Sequence, residues 1–180
     1  MKRFAWGLGT LAVATTVALT TAGRLTLKQL GVSGAEGVFP GWYPLHGLVR
    51  WDSGWYANIA ENGYHYTPGV ESPVAFFPVY PLTVRFVAWA LSVHPYLAGV
   101  LVSAVCGVLA VVLFQRWADT QLPPPTARSA TLLLVCSPYA FFLFGVMYSE
   151  SLFLCLVLGA FLALEHERPW LAALLGALAT

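Results

Sequence analysis

The sequence predicts an all-α protein of the polytopic membrane class, in which several apolar helices surround one long polar loop. Hydrophobic residues fill 58% of the 180 positions and charged residues only 9%, whereas a soluble domain carries about a quarter charged residues. With so few charges, the bilayer must solvate much of the protein surface. The net charge of +1 favours neither nucleic acid nor a polybasic membrane-surface function.

The first apolar run covers residues 4–22 and follows the basic N-terminus Met1-Lys2-Arg3. Its length and composition are typical of a transmembrane helix, and small residues near Ala22 also fit a signal-peptide cleavage site. We expect an uncleaved first helix because further apolar runs follow it. The positive-inside rule then places the basic end in the cytoplasm.

Residues 24–95 are predicted to form a long extracytoplasmic loop that contains interfacial helices. Its first part, to about residue 74, is rich in Gly, Pro, Trp and Tyr and holds half of the eight acidic residues. A loop of this length between membrane helices is usually functional. The pair Asn62-Gly63 is a helix stop signal, which predicts a short helix from about Ser53 to Glu61.

The segment 74–93 fits either a spanning helix or a helix on the outer membrane surface. It is long enough to span, but Pro78 and Pro81 interrupt its start and Arg85 occupies its middle. A charge in the bilayer core costs at least about 2.5 kcal/mol. The composition of the segment therefore favours an interfacial position.

Charges in the later loops point to the same topology. Three arginines carry the argument: Arg116, Arg128 and Arg168. If the segment 74–93 crossed the membrane, these three would face outside, against the positive-inside rule. If it lies on the outer surface, they join the basic N-terminus inside. We therefore expect the second arrangement.

The remaining apolar runs predict three complete spans and one incomplete span. They cover residues 96–115, 129–147, 149–164 and 169–180. Pro138 is expected to kink the second of these helices. The last run stops after about a dozen residues, too few to cross a membrane, so the chain is expected to be the N-terminal part of a longer protein.

The densest polar and aromatic cluster is the heptapeptide from Arg50 to Tyr56, Arg-Trp-Asp-Ser-Gly-Trp-Tyr. Asp52 would stand at the N-terminus of the predicted short helix, where the helix dipole favours an ionised carboxylate. Such a carboxylate can accept a proton from a hydroxyl group, which makes Asp52 a candidate general base. The structural alternative is that Asp52 caps the helix and Trp51 anchors it at the membrane interface.

Two arginines are candidate phosphate ligands. Arg85 follows the aromatic run at 76–81, and Arg50 precedes Asp52 by two positions. A guanidinium suits phosphate because it is always charged and directs two donors onto one oxyanion. The structural alternatives are a snorkelling Arg85 and an Arg50 that pairs with Asp52 or Glu61.

The polar interruption at 148–151, Tyr-Ser-Glu-Ser, is the third candidate element. It fits a turn between helices, or a cavity wall, because the predicted topology places Tyr148 and Glu150 on the same side as Asp52. No metal motif accompanies these residues: the three cysteines lie inside apolar runs and the four histidines are scattered. A requirement for a divalent metal is left open.

The motifs resemble those of the PIG-V family, which contains GPI mannosyltransferase 2 and bacterial relatives. The resemblance runs from about Arg50 to the chain end and rests on four motifs in order. These are Arg-Trp-Asp-Ser-Gly-Trp-Tyr at 50–56, Ile59-Ala60 with Gly63-Tyr64, Phe-Phe-Pro-Val-Tyr-Pro at 76–81 with Arg85, and Ser137-Pro138 with Tyr-Ser-Glu-Ser-Leu-Phe at 148–153. The resemblance implies a GT-C membrane glycosyltransferase, with a catalytic acidic residue in the first extracytoplasmic loop.

By this resemblance Asp52 is the base or the carboxylate that orients the acceptor. The implied substrate-binding residues are Arg50, Trp51, Tyr56, Arg85, Tyr148 and Glu150. The implied donor is a polyprenyl-phosphate sugar, typically dolichyl-phosphate mannose, and the expected acceptor is a lipid-linked sugar or glycolipid. A single carboxylate suits transfer with inversion.

The expected location is a bacterial plasma membrane, or the endoplasmic reticulum membrane if the source is eukaryotic. The alternatives are a transporter or lipid flippase, and a non-catalytic family member. Transporters commonly place ionisable residues near the bilayer midplane in repeated halves, whereas here the acids cluster in a loop.

Overall fold

The computed structural model describes residues 2–31 and 43–179, and these residues form seven α-helices and no strand. The all-α prediction is confirmed. The helices are α1 (Lys2–Gln29), α2 (Ser53–Asn62), α3 (Val79–Leu91), α4 (Pro95–Gln121), α5 (Pro124–Cys136), α6 (Glu150–Glu165) and α7 (Pro169–Leu178). Residues 32–42 of the predicted loop and Thr180 of the last predicted span lie outside the described residues.

Two of the described helices are long and apolar enough to cross a membrane, Arg3–Gln29 and Pro95–Gln121. At about 1.5 Å of rise per residue, each extends about 40 Å, which exceeds the hydrocarbon thickness of about 30 Å. Both extend beyond the predicted spans at 4–22 and 96–115. A signal sequence near an N-terminus meets the same criterion, so the number of crossings stays a prediction.

The short helix α2 closely matches its prediction, since it ends one residue later than expected. Gly63 ends it with a left-handed φ of 81°, and the Gly63 N–H donates to the carbonyl of Ile59 at 2.9 Å. This turn explains why glycine follows Asn62, because a glycine adopts a positive φ without a steric cost.

Helix α3 occupies the interior of the segment that was predicted to lie on the membrane surface. Its 13 residues extend about 20 Å, which is too short to cross a bilayer. Pro81 falls in its first turn, where the missing N–H breaks no intrahelical bond. The structure thus has two short helices, α2 and α3, between α1 and α4.

The prediction of one continuous helix over 129–147 is wrong. Helix α5 begins earlier, at Pro124, and ends at Cys136, where Pro138 opens a 3₁₀ segment instead of a kink. A proline disfavours helical geometry in the residue before it, and Ser137 accordingly has an extended ψ of 134°. The chain after the 3₁₀ segment runs through turns and bends that lead to α6.

Helix α4 is central, since it packs against α1, α3, α5 and α6. Two of its glycines permit close approach of the chain that leads to α6. Gly99 faces the side chain of Met147, and a Cβ at Gly107 would overlap the carbonyl oxygen of Leu143. These contacts hold residues 143–148 against α4, on the side where α2 and α3 also pack.

Candidate active site

Hydrogen bonds join the N-terminus of α2 to the chain before α6. The Oγ of Ser53, which is fully buried, donates to the carbonyl of Met147 at 3.0 Å and accepts the Arg50 N–H at 3.0 Å. The backbone N–H of Asp52 donates to the Tyr148 hydroxyl at 3.0 Å. The loop motif and the polar turn, distant in sequence, are therefore in direct contact.

Helix α4 also contacts the chain at Tyr148, through the buried hydroxyl of Ser103. The Oγ of Ser103 donates to the carbonyl of Tyr148 at 3.0 Å and lies 2.8 Å from the hydroxyl of Tyr80 on α3. A buried hydroxyl costs free energy unless it is hydrogen-bonded, so this position favours the observed packing. The sequence analysis did not single out Ser53, Ser103 or Tyr80, because no spacing pattern distinguishes them from other hydroxyl residues in apolar or aromatic runs.

Tyr56 and Glu150 line a cavity of about 220 Å³ between α2, α3 and α6. The Tyr56 hydroxyl lies 3.0 Å from the Oγ of Ser149. Burial raises the pKa of Tyr56, against the lowering effect of the Ser149 bond, and the carboxylates of Glu150 and Asp52 raise it further. The phenol is therefore protonated at neutral pH and can donate a hydrogen bond.

Glu150 lies in the first turn of α6 and is half-buried. Its Oε2 is buried and has no hydrogen-bond partner among the described residues. An unsatisfied buried acceptor costs about 1–3 kcal/mol. Burial raises the pKa of Glu150, against the lowering effect of a backbone hydrogen bond, and the charge of Asp52 raises it further. The side chain also borders a second cavity of about 290 Å³ next to Tyr139 and Phe142. This oxygen is placed to accept a hydrogen bond from a bound hydroxyl group.

The carboxylates of Asp52 and Glu150 act on the same two tyrosines. Burial raises the pKa of Tyr148, and the charges of Asp52 and Glu150 add to that effect, as they do at Tyr56. In residues 2–31 and 43–179, no three His, Cys, Asp or Glu side chains are grouped so that they could hold a metal ion. The site therefore combines two carboxylates with two protonated phenols.

Asp52 stands at the N-cap position of α2, as predicted, but its side chain makes no capping hydrogen bond. The residue is exposed. The Tyr148 hydroxyl accepts its backbone N–H at 3.0 Å. Asp52 therefore occupies the capping position without making the capping hydrogen bond, and its exposed carboxylate is accessible to a ligand.

Trp51 has a left-handed backbone with a φ of 46°, which is strained for a bulky residue. Its side chain is 68% exposed, and its ring lies 5.8 Å from Phe142 and 6.3 Å from Tyr148 between centroids. Such a conformation persists only where surrounding contacts fix it. Here the two hydrogen bonds of Ser53 fix the chain around it.

Arg85 lies at the opposite end of α2 from Asp52, about 12 Å along the helix. Its Nε donates to the carbonyl of Ala60 at 2.6 Å, and its Nη2 donates to the carbonyl of Ile59 at 2.9 Å. Carbonyls at the end of a helix carry the negative end of its dipole, and the Ile59 carbonyl accepts the Gly63 N–H as well as the Arg85 guanidinium. Arg85 thus fastens α2 to α3 and stands apart from the group around Asp52.

Arg50 forms no salt bridge with Asp52 or Glu61 in the described part of the chain, where Glu61 instead lies 3.9 Å from the Nε2 of His94. Burial lowers the pKa of Arg50, and the nearby cation of Arg24 lowers it further. The structural alternative of an Arg50 ion pair is therefore not observed. Arg50 instead shares a cavity with Arg24.

Comparison with known proteins identifies the family. A family model described as "Mannosyltransferase (PIG-V)" matches residues 42–180. GPI alpha-1,6-mannosyltransferase 2 of Cricetulus griseus is 37% identical over 149 residues, which cover 76% of this chain and 28% of the relative. The protein of that name from Mus musculus is 37% identical over 148 residues, with coverages of 75% and 28%.

A GPI mannosyltransferase 2 of Drosophila pseudoobscura pseudoobscura is 34% identical over 121 residues, which cover 61% of this chain and 25% of the relative. No solved structure matches the chain significantly. The chain spans about 28% of the length of the mammalian relatives that it matches. The matched range includes Asp52, the α2 helix and the Tyr148–Ser151 turn. The chain belongs to the mannosyltransferase (PIG-V) family.

Proposed function

We propose that the protein is an inverting membrane glycosyltransferase that moves mannose from a polyprenyl-phosphate donor to a hydroxyl of a glycolipid or lipid-linked acceptor at the extracytoplasmic or lumenal face. Its family and the names of its relatives support mannosyl transfer. The observation that carries the proposal is the contact between the N-terminus of α2 and Tyr148, which groups Asp52 with Glu150, Tyr56 and Tyr148.

Asp52 acts as the general base in this proposal. Its carboxylate takes the proton of the acceptor hydroxyl, whose oxygen attacks the anomeric carbon of the donor sugar. The bond from that carbon to the phosphate oxygen breaks, and its electron pair leaves with the phosphate. One direct displacement inverts the configuration, and no second nucleophilic carboxylate is required.

Glu150 and Tyr56 orient the substrate hydroxyl groups. The unpartnered Oε2 of Glu150 accepts a hydrogen bond, and the protonated phenol of Tyr56 can donate one. Both line a cavity whose remaining walls are mostly apolar, among them Phe76, Leu152 and Leu156. Apolar walls with one polar end support a substrate that joins a hydrocarbon chain to a sugar head group.

A reconstitution experiment tests the proposal. The full-length protein is placed in lipid vesicles with labelled polyprenyl-phosphate mannose and candidate glycolipid acceptors. We expect the label to appear in a new glycolipid while polyprenyl phosphate is released. Movement of the labelled donor across the bilayer, with no transfer to any acceptor, would instead identify a transporter or flippase.

A further inference from the structure

A cavity of about 360 Å³ lies between the end of α1 and the chain that leads into α2. Two basic side chains line it, Arg24 from α1 and Arg50 from the loop, together with Leu27 and Trp51. Arg24 lies outside the range that the family model matches and was not among the predicted site residues. The cavity thus joins the first helix to the motif that contains Asp52.

The walls of the cavity are held close together. Gly47 packs directly on α1, since a Cβ at this position would lie 2.6 Å from the Cβ of Thr20. Trp51 closes another side, with its backbone in the left-handed conformation. The cavity is therefore formed by fixed backbone contacts and not only by mobile side chains.

The charges at this cavity favour an anionic ligand. Arg24 is only 4% exposed and Arg50 is partly buried. Two guanidinium groups that face one partly desolvated cavity repel each other, and the repulsion increases as water is excluded. A phosphate is attracted by both cations, and a guanidinium can direct two donors onto its oxygens.

The position relative to Asp52 restricts which phosphate this is. Arg50 and Asp52 are two residues apart, so their Cα atoms are at most about 7 Å apart. In a phosphosugar the phosphate is bonded to the anomeric carbon, which the hydroxyl activated by the base attacks. Trp51, which lies between Arg50 and Asp52 in the sequence, also lines the cavity, so a phosphate bound there is next to the loop that carries Asp52.

We propose that Arg24 and Arg50 form a binding site for the phosphate group of a polyprenyl-phosphate lipid. This inference rests on the proposed function, because it assigns the site to the donor. The two cations bind the donor phosphate and stabilise the charge that develops on it as the sugar departs. Leu27 extends the site with an apolar wall, where the first isoprene unit can lie.

Binding of polyprenyl monophosphate, a probe without a sugar, tests the site in the full-length protein in lipid nanodiscs. Arg24→Gln and Arg50→Gln are each expected to weaken binding about tenfold or more, because each removes charge-assisted hydrogen bonds. Arg24→Lys keeps the charge and is expected to lose less. Arg128→Gln, at an exposed position on α5, is the matched control and should bind as the wild type does.

The results distinguish polyprenyl phosphate from other phosphate ligands, and they distinguish a failure of the phosphate site from a failure of the proposed function. Unchanged binding in both glutamine variants would overturn the inference, and so would equal competition by phosphatidylglycerol or inorganic phosphate. If Arg24→Gln does not fold, Arg50→Gln and Arg24→Lys still decide the outcome. If binding depends on both arginines but the wild type transfers no sugar, the phosphate site stands and the proposed function fails.

Discussion

At the scale of single residues, hydroxyl groups hold the candidate site together. Ser53 and Ser103 bond the carbonyls of Met147 and Tyr148, and the Tyr148 hydroxyl in turn receives the backbone N–H of Asp52. Each of these hydrogen bonds depends on one hydroxyl oxygen, so a substitution that removes this oxygen changes the volume of the side chain very little. Substitutions at these residues therefore test the effect of a hydrogen bond with little change in packing, which substitutions of the large aromatic side chains would not do.

Ser53→Ala is expected to lower the stability of the protein by about 1–3 kcal/mol, because it leaves a buried carbonyl and a backbone N–H without their partner. Thermal unfolding in detergent measures the effect. Ser129→Ala is the matched control, since Ser129 bonds its own helix at an exposed position and should change stability by less than about 0.5 kcal/mol. Equal shifts in both variants would contradict the role assigned to Ser53.

The sequence indicated Asp52 and the Tyr148–Glu150 turn, because charged and polar residues are conspicuous in an apolar chain. It could not indicate Ser53 or Ser103, because the small side chain of serine fits a lipid-facing position of a helix as well as a core position. It also assigned Arg85 only to phosphate or to snorkelling. In the structure Arg85 has a third role, because it donates hydrogen bonds to the carbonyls of Ile59 and Ala60. This role depends on the packing of α3 against α2, which the spacing of residues in the sequence does not reveal.

At the scale of elements, Arg85 connects the C-terminus of α2 to α3 by two hydrogen bonds. Arg85→Gln is expected to increase amide hydrogen exchange at the C-terminal end of α2 more than at its start near Ser53. Arg85→Lys should have an intermediate effect, since lysine keeps the charge but lacks the paired donors. Exchange that rises equally along α2, or not at all, would argue against this connection.

Close packing at Gly107 fixes the chain before α6 on α4. Gly107→Ala places a Cβ on the carbonyl of Leu143 and is expected to destabilise the protein by about 1–3 kcal/mol. Gly176→Ala is the control, because a Cβ there meets nothing within 4 Å and alanine favours the helix. Thermal unfolding should therefore shift in opposite directions, and a neutral Gly107→Ala would exclude the tight contact.

Elements with a local signal were predictable and those fixed by tertiary contacts were not. The end of α2 follows from Asn62-Gly63, and the start of α3 follows from Pro78 and Pro81. The break after α5 was missed because hydrophobicity continues through residues 137–147 while the backbone leaves the helix. An apolar run reports burial or lipid contact, but it does not report backbone conformation.

At the scale of the whole molecule, the contact between the long loop and the Tyr148 turn agrees with a topology that places both on one side of the membrane. The charge pattern predicted this shared side without predicting the contact. In the described structure α1 also reaches this region, because Arg24 of α1 lines the cavity next to Arg50 and Gly47 of the loop packs on α1. The candidate site is thus assembled from three stretches of chain that lie far apart in sequence.

Topology is open to a labelling experiment in a variant that lacks the three native cysteines. A membrane-impermeant thiol reagent added outside intact cells or sealed vesicles of matching orientation should label Glu71→Cys but not Arg128→Cys. Both positions are exposed in the described structure, so access depends on the side of the membrane. Labelling of both residues from the same side would refute the positive-inside arrangement.

Asp52→Asn tests the central claim most directly, because it removes the base and leaves the size of the side chain unchanged. In the full-length protein, sugar transfer is expected to fall by at least about 100-fold, as loss of a general base predicts. The thermal stability and the binding of polyprenyl monophosphate should stay at the wild-type level. A variant that transfers sugar at a rate near that of the wild type would show that Asp52 is not the base and that the site lies elsewhere.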